Sequence, residues 1–362
     1  MTDILKDLIV VELASVLAGP LAGSFLAEHG ARVIKIENKN TGGDVTRQWK
    51  LPVENSDSTI SAYYSSANYG KDVVCLDLKE EKDYTILLTI ISEADVIISN
   101  FQKNTAIKLK VDYESIANYA PNIIYTQLVA YTWDDPKSGY DLVMQAEAGF
   151  ISMNGSIDGV MAKMPVALID VIAGHQLKEA ILLSLLARNK SGKGNYSEVS
   201  LFKSAISGLA NQASNYLMAG YIPKPLGTLH PNIAPYGDIV VTNDKKKLIL
   251  AIGSDKQFEK LGKTLKLADK LLHTFRLNKE RVSRREDLML QIRTKIEALS
   301  YSSLTQSLLN ANIPFCSIAS LNEVFENPLA IEMILEETVD DQKTLKVSNT
   351  AFTIKMSTSN NY

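Results

Sequence analysis

Cysteine is nearly absent from this chain of 362 residues. Cys75 and Cys316 are the two present, far apart in sequence, which argues against a disulfide framework and fits a reducing compartment. The four histidines, His29, His175, His230 and His273, show no ligand spacing, so no metal site is expected. No long basic stripe occurs either. Lys245 to Lys247 is the densest basic run and the net charge is -3, which provides no electrostatic footprint for nucleic acid or anionic lipid. Apolar runs such as residues 180–187 fall well short of a membrane span, and the opening Met-Thr-Asp-Ile-Leu-Lys-Asp does not read as a signal peptide. The expectation is a cytoplasmic protein with neither membrane nor nucleic-acid partners.

What the chain does have is hydrophobic content of 46%, enough at this length for a large core and two domains. Residues 8–13 predict a buried strand, 20–29 a helix stopped by Gly30, and 32–37 the next strand, a βαβ unit. The pattern repeats with a strand over 73–78, a helix over 80–92, a strand over 95–99, a helical stretch through Asn118 and a strand over 122–130. Such alternation implies an α/β fold with a doubly wound parallel sheet. Residues 171–190 predict a helix apolar nearly all round, therefore buried, and 201–219 a second one.

Residues 220–237 then carry four of the eleven prolines and predict a linker. Beyond it a hairpin, 238–242 and 248–252, precedes several helices through about Glu326. The expected organisation is a large domain over 1–220, a linker over 221–237, a smaller α+β domain over 238–327 and a C-terminal segment over 328–362 that returns to the large domain. The polar tail 357–362 is expected to fray.

One carboxylate concentrates the functional question. Asp170, in Met164-Pro-Val-Ala-Leu-Ile-Asp-Val-Ile-Ala-Gly174, stands at the head of the long apolar helix. An acid there reads as an N-cap accepting the orphan N–H groups of the first turn, or as a catalytic group; these residues alone leave both open. The first strand leads into Ala18-Gly-Pro-Leu-Ala-Gly23, which lacks the Gly-x-Gly-x-x-Gly spacing of a dinucleotide site, so nicotinamide chemistry is not expected. Pro20 suits the first turn of a helix whose free N–H groups can still receive a phosphate or a carbonyl oxygen.

Residues 8–23, followed by Gly30-Ala-Arg-Val-Ile-Lys-Ile-Glu37, Gly43-Asp44 and Arg47, closely resemble the opening of the class III CoA transferases, the CaiB/BaiF family. The resemblance continues in order through Asn68-Tyr-Gly-Lys71, residues 95–101, Gly139-Tyr-Asp141 with Gln145 and Gly149, residues 170–194, Pro235-Tyr-Gly237 and Asn312-Ile-Pro314. It implies a CoA-binding large domain and a homodimer of interlocked, ring-like protomers. It also implies acyl-CoA and small carboxylic acids as substrates, with no permanently bound cofactor. Asp170 becomes the nucleophile, attacking an acyl-CoA thioester to give a mixed anhydride and then an aspartyl-CoA thioester. A helix N-terminus is expected to keep that carboxylate ionised. Tyr140 and Asp141 resemble a pair that orients the acyl group. Val16, Leu17, Ala18, Asn100 and Phe101 match positions near CoA, and Lys71 and Lys108 match basic positions facing its phosphates.

Several residues depart from the family pattern. Leu17 stands where oxalate-using members often have glutamine, Asn38 and Gln102 replace frequent arginines, and Tyr69 replaces the arginine of Asn-Arg-Gly-Lys. No glycine-run loop like that of the formyl-CoA transferases occurs in the small domain, and no closing Gly-Glu-His stretch precedes Tyr362. The expected activity is CoA transfer from an acyl-CoA such as succinyl-CoA to a free carboxylic acid. The same fold also hosts α-methylacyl-CoA racemases, which place a histidine where this chain has Tyr140, and a non-catalytic CoA-binding subunit is a third reading.

Overall fold

The computed structural model describes residues 3–355; the tail 357–362 lies outside them. The described residues through Ile151, with Lys163–Ile222 and those from Ile331 onward, pack as one unit, and Ser152–Ala162 with Pro223–Ala330 pack as a second.

The first unit contains β1 (Ile9–Leu13), α1 (Ala18–Glu28), β2 (Arg32–Asn38), the short α2 (Ala62–Ser65), β3 (Lys71–Leu76), α3 (Glu81–Ser92), β4 (Val96–Ser99), α4 (Lys103–Lys108), α5 (Tyr113–Tyr119) and β5 (Ile124–Val129). It continues with α6 (Asp141–Glu147), α7 (Phe150–Met153), α8 (Leu168–Ser191), β6 (Asn195–Ser200), α9 (Leu201–Gly208) and α10 (Ala210–Ala219). The six strands form one parallel sheet in the order β3-β2-β1-β4-β5-β6.

Strand alternation explains why both faces of that sheet are covered. Val10, Val96, Ile98 and Ile124 face a core shared with Ala22 and Leu26 of α1 and Ala173 and Leu177 of α8. Their neighbours Val11, Ile97 and Tyr125 face the other way, onto Leu87 and Ile91 of α3, Ala106 of α4 and Ile116 of α5. The sheet is therefore doubly wound.

Helix α8 begins three residues earlier than the pattern predicts. Its N-cap is Ala167, with no side-chain cap bond, so Asp170 sits inside the first turn and is not the cap. Nor is the helix buried all round: Ile169, Asp170, Ala173, Leu177 and Ile181 form its inner face, while Leu183 and Leu186 are exposed. The single helix expected over 201–219 breaks into α9 and α10 at Ala210, whose φ of +43° interrupts the turn. Strand β6, absent from the sequence reading, adds to the sheet edge with alternating half-buried and exposed residues.

The second unit has an antiparallel sheet, β7 (Tyr236–Val241), β8 (Lys247–Ala251) and β9 (Phe315–Ser317), in that order. Around it run α11 (Asp255–Thr264), α12 (Asp269–Thr274), α13 (Asn278–Ser283), α14 (Arg285–Ile296), α15 (Tyr301–Asn310), α16 (Leu321–Val324) and α17 (Pro328–Ile331). Val240, Leu248 and Leu250 pack with Phe258, Leu261, Leu288, Ile292 and Leu304 as its core. Residues 152–162, which the sequence reading placed with the large domain, pack here, with Gly227 N donating to Gly155 O at 2.8 Å.

The chain then forms a hairpin in the first unit, β10 (Ile334–Val339) against β11 (Gln342–Val347). The segment after it straps the end of α1. Glu28, almost wholly buried, accepts from Lys346 Nζ at 2.6 Å, Ser348 Oγ at 2.7 Å, Asn349 N at 3.0 Å and Thr350 Oγ1 at 3.2 Å. His29 donates or accepts at Thr350 Oγ1 and stacks on Phe352, rings 5.6 Å apart. Burial alone would push the Glu28 carboxyl up, yet Lys346 and the strap donors hold it below the usual carboxylate range. Glu28→Ala leaves the buried Lys346 ammonium unpaired and is expected to cost about 3–5 kcal/mol in urea unfolding at neutral pH. Because the folded carboxyl is the stronger acid, that stabilisation is present above the ordinary glutamate range. It shrinks as pH falls through the folded value, so the variant and wild type converge in acid.

Candidate active site

In the order 3-2-1-4-5-6 the connections leave β1 and β4 in opposite directions, and a crevice opens at their carboxyl ends. A cavity of about 550 Å³ lies there. Its walls come from Ser15 and Val16 after β1, Asn38, Gly43 and Asp44 after β2, Asn100 to Lys103 after β4, and Trp133, Lys137, Gly139 and Tyr140 after β5.

Beneath the loop after β1 is a buried ionic cluster. Lys35 donates to Glu12 Oε1 at 2.9 Å and to Ala14 O at 2.8 Å, and its ammonium lies 3.0 Å from Asp44 Oδ2. Lys71 donates to the same Glu12 oxygen at 3.0 Å and to Pro20 O, Ala67 O and Asn68 Oδ1. All four charged side chains are buried. Gly23 of α1 makes the approach possible, since any side chain there would run into the Glu12 carboxylate. Burial opposes the charge on Lys35, but Glu12 and Asp44 outweigh it and raise its pKa. Lys71, wholly buried and close to Lys35, is pulled down to about 7 despite Glu12.

This cluster shapes the loop. Asp44 accepts from Val16 N at 3.2 Å and from Thr46 N and Oγ1, holding Val16 at a φ of +72°, a conformation that a β-branched residue rarely adopts. Asn100, on the other side of the crevice, donates to Ser15 O at 3.0 Å and accepts from Ser15 N at 3.2 Å. The two lips of the crevice are thus tied together. Helix α1 starts behind the loop with no side-chain cap bond at Leu17.

Behind the cavity wall at Tyr140 lie two acids, Asp141 and Asp170, neither of which lines the cavity itself. Asp141 directly follows the wall residue Tyr140, and its Oδ1 accepts from Ile169 N at 2.7 Å, capping α8 from outside. Asp170, next along that turn, is 9% exposed. Burial, then the Asp141 charge, pushes its carboxyl up to about 7. The expected ionising influence of the helix end is outweighed here: desolvation and a like charge both favour the protonated acid. Tyr63 of α2, half-buried and packed edge-on against Trp49, faces the same acids; burial followed by the fields of Asp170, Asp141 and Asp44 raises its phenol.

The expected site residues divide by position. Val16, Asn100, Phe101 and Tyr140 line the cavity. Leu17 and Ala18 are buried behind it. Lys71 is a correction, since its ammonium is consumed by Glu12 and backbone carbonyls, out of reach of any phosphate. Lys108 is a second correction: it ends α4 on the exposed surface, off the cavity wall. The cationic residues on the wall are Lys35, whose ammonium is held by Glu12 and Asp44, Lys103, 2.5 Å from Asp134, and Lys137, over the Tyr131 ring. Neither of the last two was singled out from sequence, because only strand order brings the loops after β4 and β5 to one crevice. Among the departures, Gln102 lines the cavity and donates to Ser138 Oγ at 2.8 Å, while Tyr69 lies beneath Lys346 of β11.

A model of CoA-transferase family III matches residues 5–361. A succinate–glutarate CoA-transferase of Agrobacterium fabrum is 37% identical, covering 90% of this chain and 82% of its own length. The human succinyl-CoA:glutarate CoA-transferase is 30% identical, covering 90% and 74%. A CaiB/BaiF family protein from Brucella suis, 32% identical, superposes with a TM-score of 0.81 over 97% of this chain and 93% of that one. With the six-stranded switch-point fold and a family match across its length, this chain belongs to CoA-transferase family III.

Proposed function

We propose that this enzyme moves CoA from succinyl-CoA to a second small dicarboxylic acid, with Asp170 as nucleophile and a homodimer as the working form. One observation carries the reading: a buried carboxyl, Asp170, held next to Asp141, which itself directly follows Tyr140 in the wall of a nucleotide-sized cavity at the sheet's switch point. The relatives supply the substrate class, since they are named for succinate or succinyl-CoA with glutarate, and one from Haloarcula hispanica for succinyl-CoA with mesaconate. Exposed Leu183 and Leu186 on α8 and Leu217 and Met218 on α10 support burial against a second copy.

Chemically the steps balance without water, metal or an external oxidant. An ionised Asp170 oxygen attacks the thioester carbonyl, the C–S bond breaks, and a mixed anhydride and CoA thiolate result. The thiolate then attacks the aspartyl carbonyl, releasing succinate and leaving an aspartyl-CoA thioester. The acceptor carboxylate attacks the aspartyl carbonyl in turn, the C–S bond breaks to give a second mixed anhydride and CoA thiolate, and the thiolate attacks the acceptor's acyl carbon, forming the new acyl-CoA and releasing the Asp170 carboxylate. A buried carboxylate is short of solvation, so its lone pair is a stronger nucleophile than in water. Lys103 and Lys137 meet the phosphates. The racemase reading has no support at its second proton carrier: Tyr140 holds the histidine position, and His175 points to solvent from α8.

With succinyl-CoA and a panel of dicarboxylates, mass-detected new thioesters are expected from wild type, with a hydroxylamine-sensitive adduct on Asp170. Asp170→Asn is expected to lose at least about 10³-fold in exchange and to form no adduct; exchange at the wild-type rate in this variant rules out the mechanism.

Ionisation of Asp170 makes kcat/KM rise with pH through a midpoint of about 7. The linked stability runs the other way. A folded pKa raised above the ordinary aspartate value stabilises the fold in acid, and that contribution is lost as pH climbs to the folded value. Asp170→Asn should therefore raise the melting temperature at pH 8, by about 2–4 kcal/mol of stability, and gain little at pH 4. Lys137→Ala and Lys103→Ala should each raise KM for acyl-CoA about 10-fold, with kcat nearly constant, in steady-state assays at low salt.

A further inference from the structure

Gln145 has no surface to offer a substrate, being wholly buried in α6, yet both ends of its amide are committed. Its Nε2 donates to Asp141 Oδ2 at 2.6 Å, one turn back on the same helix. Its Oε1 accepts from Met164 N at 2.8 Å, in the segment that leads into α8. The other Asp141 oxygen accepts from Ile169 N at 2.7 Å. The chain Met164, Gln145, Asp141, Ile169 is a closed clamp: two points on the α8 approach are joined through α6, and Asp170 follows immediately.

We propose that Gln145 is a positioning residue, whose amide locks the Asp141 carboxylate against the first turn of α8 and thereby sets how readily Asp170 ionises. The inference rests on the reading of Asp170 as nucleophile for its functional meaning, although the clamp itself does not. Its logic is electrostatic. An aspartate free to rotate would swing toward water and be screened, whereas one held by donors at both oxygens keeps its charge facing the buried acid beside it. Gln145 thus acts on Asp170 through Asp141, without touching it. An apolar residue of equal size would preserve packing and lose this effect.

The other groups around α8 do not offer the same control. Tyr63 of α2 faces Asp170 as a neutral phenol. On α1, Glu28 and His29 are engaged by the C-terminal strap, and on β6 Tyr196 bonds Glu198. On α8 itself His175, Lys178 and Glu179 act on one another beyond the first turn. The charged neighbour of Asp170 is Asp141.

The test needs no turnover, so it can fail or succeed independently of the proposed reaction. Full-length protein carrying aspartate labelled with ¹³C at the carboxyl is titrated by NMR, and Asp170 is assigned by the resonance missing from Asp170→Asn. Asp141→Asn is expected to lower the Asp170 midpoint from about 7 by about one pH unit. Gln145→Met should move it in the same direction, and the double variant should titrate like Asp141→Asn alone, because the two act in series. If Gln145→Met does not fold, Gln145→Asn, one methylene too short to bridge Asp141 and Met164, is measured in its place with the same expectation. A Gln145 variant that melts earlier but leaves the Asp170 midpoint unmoved overturns the proposal, as does a shift that adds in full to that of Asp141→Asn. In the active enzyme the low-pH limb of kcat/KM should follow the NMR midpoint. Absence of CoA exchange alongside the expected NMR shifts would discard the transferase mechanism and keep the clamp.

Discussion

The ion cluster of Glu12, Lys35, Asp44 and Lys71 is the constraint on which the site depends. Two ammonium groups and two carboxylates sit buried together, where each charge is tolerable only because the others are present. Removing any one would strand an uncompensated charge, so the arrangement fixes β1, β2 and β3 relative to one another and pins the loop that crosses above them. Val16 is held in a strained conformation by Asp44, and Ser15 is tied to Asn100 across the crevice. The opening at the switch point is thus preformed, with no rearrangement needed to bring its lips together.

A second constraint operates at the start of α8. Asp141 takes over the capping that Asp170 was a candidate for, which frees Asp170 to be buried without a hydrogen-bonding partner among the described contacts. The consequence is a carboxyl poised near neutrality, where a small change in its surroundings alters its charge. A capped, solvated aspartate would be ionised far below neutral pH and well stabilised as an anion. The helix end and the acid are compatible because a different residue closes the helix.

Much of the fold was legible in the chain because parallel strands buried on both faces are continuous apolar runs, and the helices between them end at glycines such as Gly30 and Gly192. The misses have local causes. β6 alternates polar residues at a sheet edge, β9 is only three residues long, and the break at Ala210 has no proline or glycine to announce it. For the site, ordered motifs marked Asp170, Asp141, Val16 and Phe101. A lysine after Asn-Tyr-Gly looks like a surface cation, and nothing local reveals that Glu12, 59 positions away, claims Lys71.

Sequence by itself determined the alternation of strand and helix, the family, and which acid stands at the head of α8, since these are written in local pattern and in motif order. Tertiary structure alone decided what that acid is. Strand order brought Lys103 and Lys137 to one crevice and withdrew Lys71 and Lys108 from it, and α6 laid Asp141 and Gln145 against the α8 approach. A carboxyl's proton affinity depends on the water it has lost and the charges it faces, and both are properties of packing between distant segments.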